Sequence, residues 1–556
     1  MKLNIFNVKA LLPLTAMAVT IATTSCVNDL DVDPTIDEST FMVFDRDGNF
    51  NKVYANLALT GQVGPSGNQD IADIDEGTSA FLRQCWNMNE LPTDEALCSW
   101  GDPGIPELNY ATWDSSHGMV ECQYQRLFFG VTLSNNFLQQ TADDTSAEGI
   151  RMRAEVRFLR ALYYTYLIDF FGDVPFLTEI STELAQQGKR ADIFKFIETE
   201  LKECAEDMAE PKTNTYGRAD KAAAWMLLSR LYLNAEVYTG TPRWEDAAEY
   251  AKKVIDSDYS LSTTPMGDWN AYQLLFMADN DTNGAQNEII FPIMFDGIKT
   301  QNWGGSMFLT SSTFKDDMYF KKVYKVDDKG EIIKDKDGNP EIDPEKSILN
   351  GAETWAGNRA RPELVKKFFP ATTAPQVVVA EMTKEANDDR ALFYGVDRNV
   401  DNEEVSQFTD GFSVAKWVNK RADGAKTSDP QFTDIDFPMF RLAEAYLTFA
   451  EASARLGHDA DAKTYIDLLR SRAHATTQPS YSLDDICDEW AREFFYEARR
   501  RMDLVRFGKF GGNSDYVWMW KGGAKKGTNF GKYRNIYAIP NNDVIVNSNI
   551  VQNPGY

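Results

Sequence analysis

Between residues 440 and 473 the apolar side chains recur at the spacing of two successive helices. Leu442, Tyr446, Phe449, Ser453 and Leu456 step by four and three, Gly457 supplies a stop, and Ala462, Ile466, Leu469 and Ala473 resume the pattern. Alanines between the large residues let two such helices pack closely. A second pair spans 219–255, with Trp225, Leu228 and Tyr232 on one face and Ala247, Ala251 and Val254 on the next helix. That order is the tetratricopeptide pattern, with extra residues in the turn around Gly240. A third pair is expected over 150–208 and a fourth from 484 to 507. One helix pair cannot bury its apolar face alone, so the pairs must stack into a right-handed solenoid that supplies rigidity and surface rather than chemistry. The expected fold is mainly α: a tetratricopeptide-like helical repeat frame of about four helix pairs, carrying long irregular loops and short β-hairpins.

The loops are expected near 61–118 and 256–430, where Gly, Pro, Asn and Trp replace the helical period; 508–556 has the same texture. Residues 288–295 and 411–418 look like short strands, and 323–342, with its Asp-Lys-Gly and Asp-Gly-Asn turns, looks like a solvent-facing hairpin. Long loops on a helical frame are where binding residues usually sit. Residues 41–556 are read as one domain.

The first 25 residues read as a secretory leader: Lys2 and Lys9, an apolar stretch over 10–21, then small residues before Cys26. Pro13 and the short length argue against a spanning helix. A thiol at that place is where a lipoprotein receives its diacylglycerol, so Cys26 is the expected lipidation site and the membrane contact. Residues 26–40 form an acidic tether similar to the sorting signal of surface-exported lipoproteins. The other five cysteines (Cys85, Cys98, Cys122, Cys204, Cys487) show no CxxC spacing, which excludes a zinc site of that type and allows at most two disulfides.

Charge narrows the partners. With 57 Lys+Arg against 84 Asp+Glu the formal charge is -27, which makes nucleic acid a poor ligand. Enzymatic signatures are sparse: His117, His458 and His474 stand alone, without HExxH, GxSxG or a phosphate loop. Glu493 and Glu497 lie one helical turn apart, as a glycosidase pair could, but Arg492, Arg499, Arg500 and Arg501 surround them and ion pairing is the expected role. No organic cofactor is expected.

Several stretches together resemble the SusD/RagB family of outer-membrane nutrient-binding lipoproteins: 153–161 with Phe171-Gly172-Asp173-Val174-Pro175, 217–222, 440–447, 489–494, 503–508 and the closing Gln552-Asn553-Pro554-Gly555-Tyr556. Residues 89–95, 276–281, Lys416-Trp417 and 520–523 are similar to its starch-binding branch. The resemblance implies a non-catalytic, lipid-anchored receptor at the cell exterior. Such a receptor binds α-glucan (starch, malto-oligosaccharides) and delivers it to a TonB-dependent, SusC-like transporter. A receptor for another glycan or a peptide nutrient is the alternative, and a glycoside hydrolase a more distant one.

Sugars present flat C–H faces and rings of hydroxyls, so a glycan site needs aromatic planes with polar groups at their edges. Trp100, Trp303 and Trp355 all lie in Gly-rich loops and match the aromatic arc of the starch-binding relatives. Arg83, Asp75 and Asp102 fall at or near its polar positions. Cys98 and Trp303 stand where those relatives carry a tryptophan and a tyrosine. Asp281, Asp434 and Asp436 resemble their calcium-ligating positions, so a structural Ca2+ is expected there. The loop 279–283 lacks the Gly and Glu that an EF-hand requires.

Overall fold

Helix follows helix in the computed structural model, which describes residues 44–65, 67–314, most of 324–343 and 354–556. The leader, Cys26 and the tether lie outside the described residues. Residues Phe50–Tyr556 form one compact unit. Its elements include α1 (Phe81–Glu90), α2 (Gly118–Gln140), α3 (Ala147–Phe171), α4 (Arg190–Asp207), α5 (Lys221–Leu233) and α6 (Trp244–Ile255). After a long insertion come α7 (Leu442–Arg455), α8 (Asp459–Arg472) and α9 (Leu483–Phe494).

Each helix from α2 to α7 packs on the next, and α9 packs on α7. The array is unbroken because α6 lies against α7, although residues 256–441 intervene. Starts are capped locally: the Ser146 hydroxyl accepts from the Gly149 N–H before α3, and Asp220 accepts from Ala223 N–H at 3.1 Å before α5. Ser482 and Asp485 form a reciprocal capping box at α9. The expected stop after α7 is present, with Gly457 at φ +81°.

The expected pairs 150–208, 219–255 and 440–473 are all found as packed neighbours. The fourth segment is a helix broken at residues 495–499, where Tyr496 and Ala498 take positive φ, before a short helix Arg500–Arg506. The long α2 is not among the pairs that periodicity predicts. Its buried face includes Gln123, Arg126, Ser134 and Asn135, which interrupt the apolar pattern. Arg126 is fully buried and donates to the carbonyls of Thr60 and Ser79, which pins the 60–79 loop to the frame.

Four short strands matter for the loops. β1 (Ala96–Cys98) pairs antiparallel with β3 (Asn358–Ala360), and β2 (Ile289–Ile293) with β4 (Phe437–Arg441). The second pair ties residues 289–293 of the insertion to its last strand, which leads directly into α7. The expected strand 411–418 is reduced to Ser413–Val414, paired with Phe393–Tyr394. Residues 324–336 are exposed, with bridges Val326 to Ile332 and Lys334 to Pro340, as a solvent hairpin requires. Cys85, Cys98, Cys122, Cys204 and Cys487 are all buried free thiols.

Candidate functional site

Three distant segments converge on one face through pairings that can be followed residue by residue. In the β1–β3 ladder Cys98 lies opposite Asn358, and the Ser99 N–H donates to Gly357 O at 3.0 Å. That register sets Trp100 beside Trp355, with ring centroids 6.5 Å apart and planes at 60°. The 355–358 segment is held in turn by the helix Ser306–Ser311: Trp355 N–H and Ala356 N–H both donate to Ser311 O, at 2.8 and 3.1 Å. Trp303 stands just before that helix and meets Trp355 at 6.1 Å and 47°. The six-residue helix therefore bridges two of the tryptophans.

Glycines permit the approach. Gly357 has φ +108°, and a Cβ there would overlap the Trp100 indole nitrogen. Gly304 lies so close to the Gly77 backbone that no side chain fits. Phe432 backs Trp303 at 5.0 Å, and the Trp303 Nε1–H donates to Pro65 O at 3.1 Å. The result is an arc in the order Trp100, Trp355, Trp303, each ring half-buried and so anchored at one edge and open at the other. Stacking rigid amphipathic rings in a partly open surface is the arrangement that recognises flat apolar faces with polar rims.

Arg83 lies at the Trp100 end. It projects from α1, its guanidinium carbon 5.9 Å from the Trp100 ring and 5.1 Å from Phe308. One turn on, Trp86 is wholly buried against Phe308 and Tyr496, which fixes the helix that carries Arg83. Burial pushes the guanidinium below its ordinary value, and Asp75 and Asp102 pull it back up. Its Nε has no hydrogen-bond partner. Asp75 is exposed and accepts from the Thr78 N–H at 3.0 Å; it, Asp102 and Arg83 share the wall of a cleft of about 580 Å³. All six residues expected at the glycan site thus lie on the arc or the adjoining cleft. Cys98 is fully buried, its backbone paired with the Asn109 side chain, and adds nothing to the arc. Phe308 and Phe432 are the contributors that the sequence reading did not single out; neither stands in a Gly-rich loop of the kind that marked the tryptophans.

A larger groove, about 890 Å³, is built from other segments, between α5, α6 and α7 over Trp225 and Phe449. Part of its rim is neutralised by Lys253–Glu249 and Lys252–Asp256 pairs.

The three expected calcium ligands are differently placed. Burial pushes the Asp436 carboxyl up to about 8, and the charges of Asp281 and Asp434 add to the effect. Carboxylates are hard-oxygen donors of the kind Ca2+ takes. Asp434 is already engaged by Gly297 N–H at 2.8 Å and Ser428 N–H at 2.7 Å, and Asp436 by Phe295 N–H at 2.7 Å. Among the described residues no group of three or more His, Cys, Asp or Glu side chains stands assembled around one point. Asp281 is exposed, so its carboxylate is the one that can turn toward a cation without breaking the core.

Glu493 and Glu497 are buried and ion-paired, but not to the arginines nearest in sequence. Glu493 meets Arg390 and Arg441, at 3.0 and 2.7 Å, together with Arg472; Glu497 meets Arg441 and Lys416, at 2.7 and 2.6 Å. His117 caps α2, His458 precedes α8, and His474 pairs with Asp389 at 2.7 Å on the surface.

Comparison with known proteins gives one consistent answer. The sequence model of the SusD family matches residues 252–556, and one described as starch-binding and associating with the outer membrane matches 30–233. The chain is 43% identical to the starch-binding protein SusD of Bacteroides thetaiotaomicron, over 96% of each chain. Among solved structures it superposes on a SusD-like protein from Bacteroides fragilis with a TM-score of 0.65, at 18% identity, covering 94% of this chain and 99% of that one. It also superposes on a laminarin-binding SusD-like protein with a TM-score of 0.64, at 21% identity, covering 92% and 99%. No described helix is long and apolar enough to cross a membrane. The family match, the whole-length relative and the shared helical frame agree: this chain belongs to the SusD/RagB family.

Proposed function

We propose that the protein is a non-catalytic surface receptor for starch-type α-glucan, which it captures on the tryptophan arc and delivers to a TonB-dependent, SusC-like transporter. The observation that carries this reading is the arc itself: three indoles from three segments, open on one side, with Arg83 at one end. Its similarity to a starch-binding relative along almost the whole chain supports the ligand class. A non-catalytic role is favoured by the burial and ion pairing of the one carboxylate pair that the sequence offered. Binding at each site can be weak, because many tethered receptors beside one polymer raise the effective concentration.

Replacing Trp100, Trp303 and Trp355 together by Ala is expected to abolish retardation on amylopectin in affinity electrophoresis. Unchanged migration would sink the site assignment, and retardation of the native protein by laminarin, inulin or xylan but not starch would select the alternative ligand. Sugar release from soluble starch by the purified protein would refute the non-catalytic role.

The anchor belongs to the same reading: a lipid on Cys26 holds the receptor at the outer membrane, facing outward, and Cys26→Ala is expected to abolish palmitate labelling. A structural Ca2+ held by Asp281, Asp434 and Asp436 would relieve the repulsion among these carboxylates. Calcium is expected to raise the melting temperature of the native protein but not of Asp281→Asn.

A further inference from the structure

Another pair of half-buried aromatic rings lies outside the arc. Tyr110 ends the short helix Ile105–Tyr110, Trp520 stands just before the turn Lys521–Gly523, and their ring centroids are 6.1 Å apart with planes at 46°. Trp303 and Trp355 of the arc meet at 6.1 Å and 47°. The same spacing and tilt therefore occur twice in the molecule, built from different segments.

One buried group places both rings. Arg361, fully buried directly after β3, donates from its guanidinium to the carbonyls of Asn109 and Met519, the residues immediately before Tyr110 and Trp520. Trp520 itself takes φ +66°, a left-handed conformation that a bulky side chain adopts only under constraint, and strain of that kind clusters at ligand sites. Its Nε1–H donates to Asn402 O at 2.7 Å, so this indole is tied at one edge, as the Trp303 indole is by Pro65. The rim beside it carries both signs of charge. Lys525, whose carbonyl accepts from the Trp520 N–H at 3.2 Å, pairs through its ammonium with Glu403, the neighbour of Asn402. An exposed ion pair offers donors and acceptors without net charge. Tilted aromatic faces with such a rim suit the C–H face and hydroxyl edge of a neutral sugar, whereas a charged ligand would find no unmatched counter-charge in this pair.

We infer that Tyr110 and Trp520 form a second glycan platform, separate from the tryptophan arc, which stacks on another stretch of a neutral α-glucan already held at the arc. This rests on the glucan reading above. Two rings bind more weakly than the three of the arc with Arg83, so the platform acts through effective concentration on a polymer and adds nothing measurable for a short oligosaccharide.

The test compares the full-length native protein with Tyr110→Ala and Trp520→Ala, using affinity electrophoresis on amylopectin and titration calorimetry with maltoheptaose. Each variant is expected to lower amylopectin affinity by about tenfold, the loss of a second linked site, while maltoheptaose affinity stays as in the native chain. Native maltoheptaose affinity also reports that the arc, and so the fold around it, is intact in the variant. Unchanged amylopectin affinity in either variant would overturn the platform. An equal fall for the polymer and the oligosaccharide would overturn it too, since the two rings would then be inseparable from the arc. Failure of the native chain to bind amylopectin would instead overturn the glucan reading on which the platform rests.

Discussion

Glu493 sits in a fully buried charge cluster in which Arg390, Arg441 and Arg472 all reach its carboxylate. Burial opposes its charge, yet the three guanidiniums outweigh that cost and hold it well below the usual carboxylate range. Removing one partner from such a cluster leaves the others charged and desolvated, which costs far more than the cluster contributes against an apolar alternative. Glu493→Gln is therefore expected to destabilise the fold by about 3–5 kcal/mol, seen as a lower midpoint in urea unfolding. A midpoint within error of the native chain would show that the arginines find other acceptors. Sequence adjacency points to Arg492, Arg499, Arg500 and Arg501 as partners, but α9 and the turn after it direct those side chains elsewhere. Arg492 meets Glu489, Arg499 meets Glu444 and Asp503, Arg500 meets Asp94, and Arg501 meets Asp169. An ion-pair role was legible in the composition of the segment; the partners were not, since they come from β4, α8 and the insertion.

The elements that build the arc are short, and their junctions carry the geometry. β1 and β3 contribute three residues each, and Ser306–Ser311 is less than two turns long. Such pieces have little stability alone and are held by the contacts that join them. Gly357 is one of the tight junctions: its φ of +108° is closed to other residues without strain, and the Trp100 indole fills the place of a side chain. Gly357→Ala is expected to push Trp100 away from Trp355 and weaken amylopectin retardation by about tenfold, from about 1–3 kcal/mol of strain, with the far-ultraviolet circular dichroism unchanged. Native affinity in that variant would mean that the ring can shift without loss. Gly-rich loops flagged the three tryptophans in the sequence because a large indole in a flexible loop is hard to bury. Phe308 and Phe432 carried no such flag, since an isolated phenylalanine reads equally as core.

For the molecule as a whole, buried carboxylate–arginine pairs tie the late helices to one another and to the insertion. Burial opposes the Glu489 charge, but Arg390, Arg492 and Arg470 hold its carboxyl at about 2 against an ordinary 4.5. Burial is likewise outweighed by arginines at Glu444 and Glu451, which also lie below their ordinary values. Below pH 4.5 the unfolded chain binds more protons than the folded one, so this stabilisation is present above 4.5 and is lost as pH falls toward 2. Melting temperature is accordingly expected to fall steeply between about pH 4.5 and 2.5; a flat profile over that window would refute the role of these pairs. The helical frame was legible from local pattern because a 3.6-residue period is written into each segment and needs no distant partner to be read. Gly-rich turns likewise marked where the aromatic residues leave the frame. The meeting of Trp100, Trp303 and Trp355, the contact of α6 with α7 across residues 256–441 and the partners of Glu493 depended on the folded chain. Each is a long-range pairing between segments whose local sequences carry no record of one another, and strand register, close backbone approach and buried charge select it only once the chain is packed.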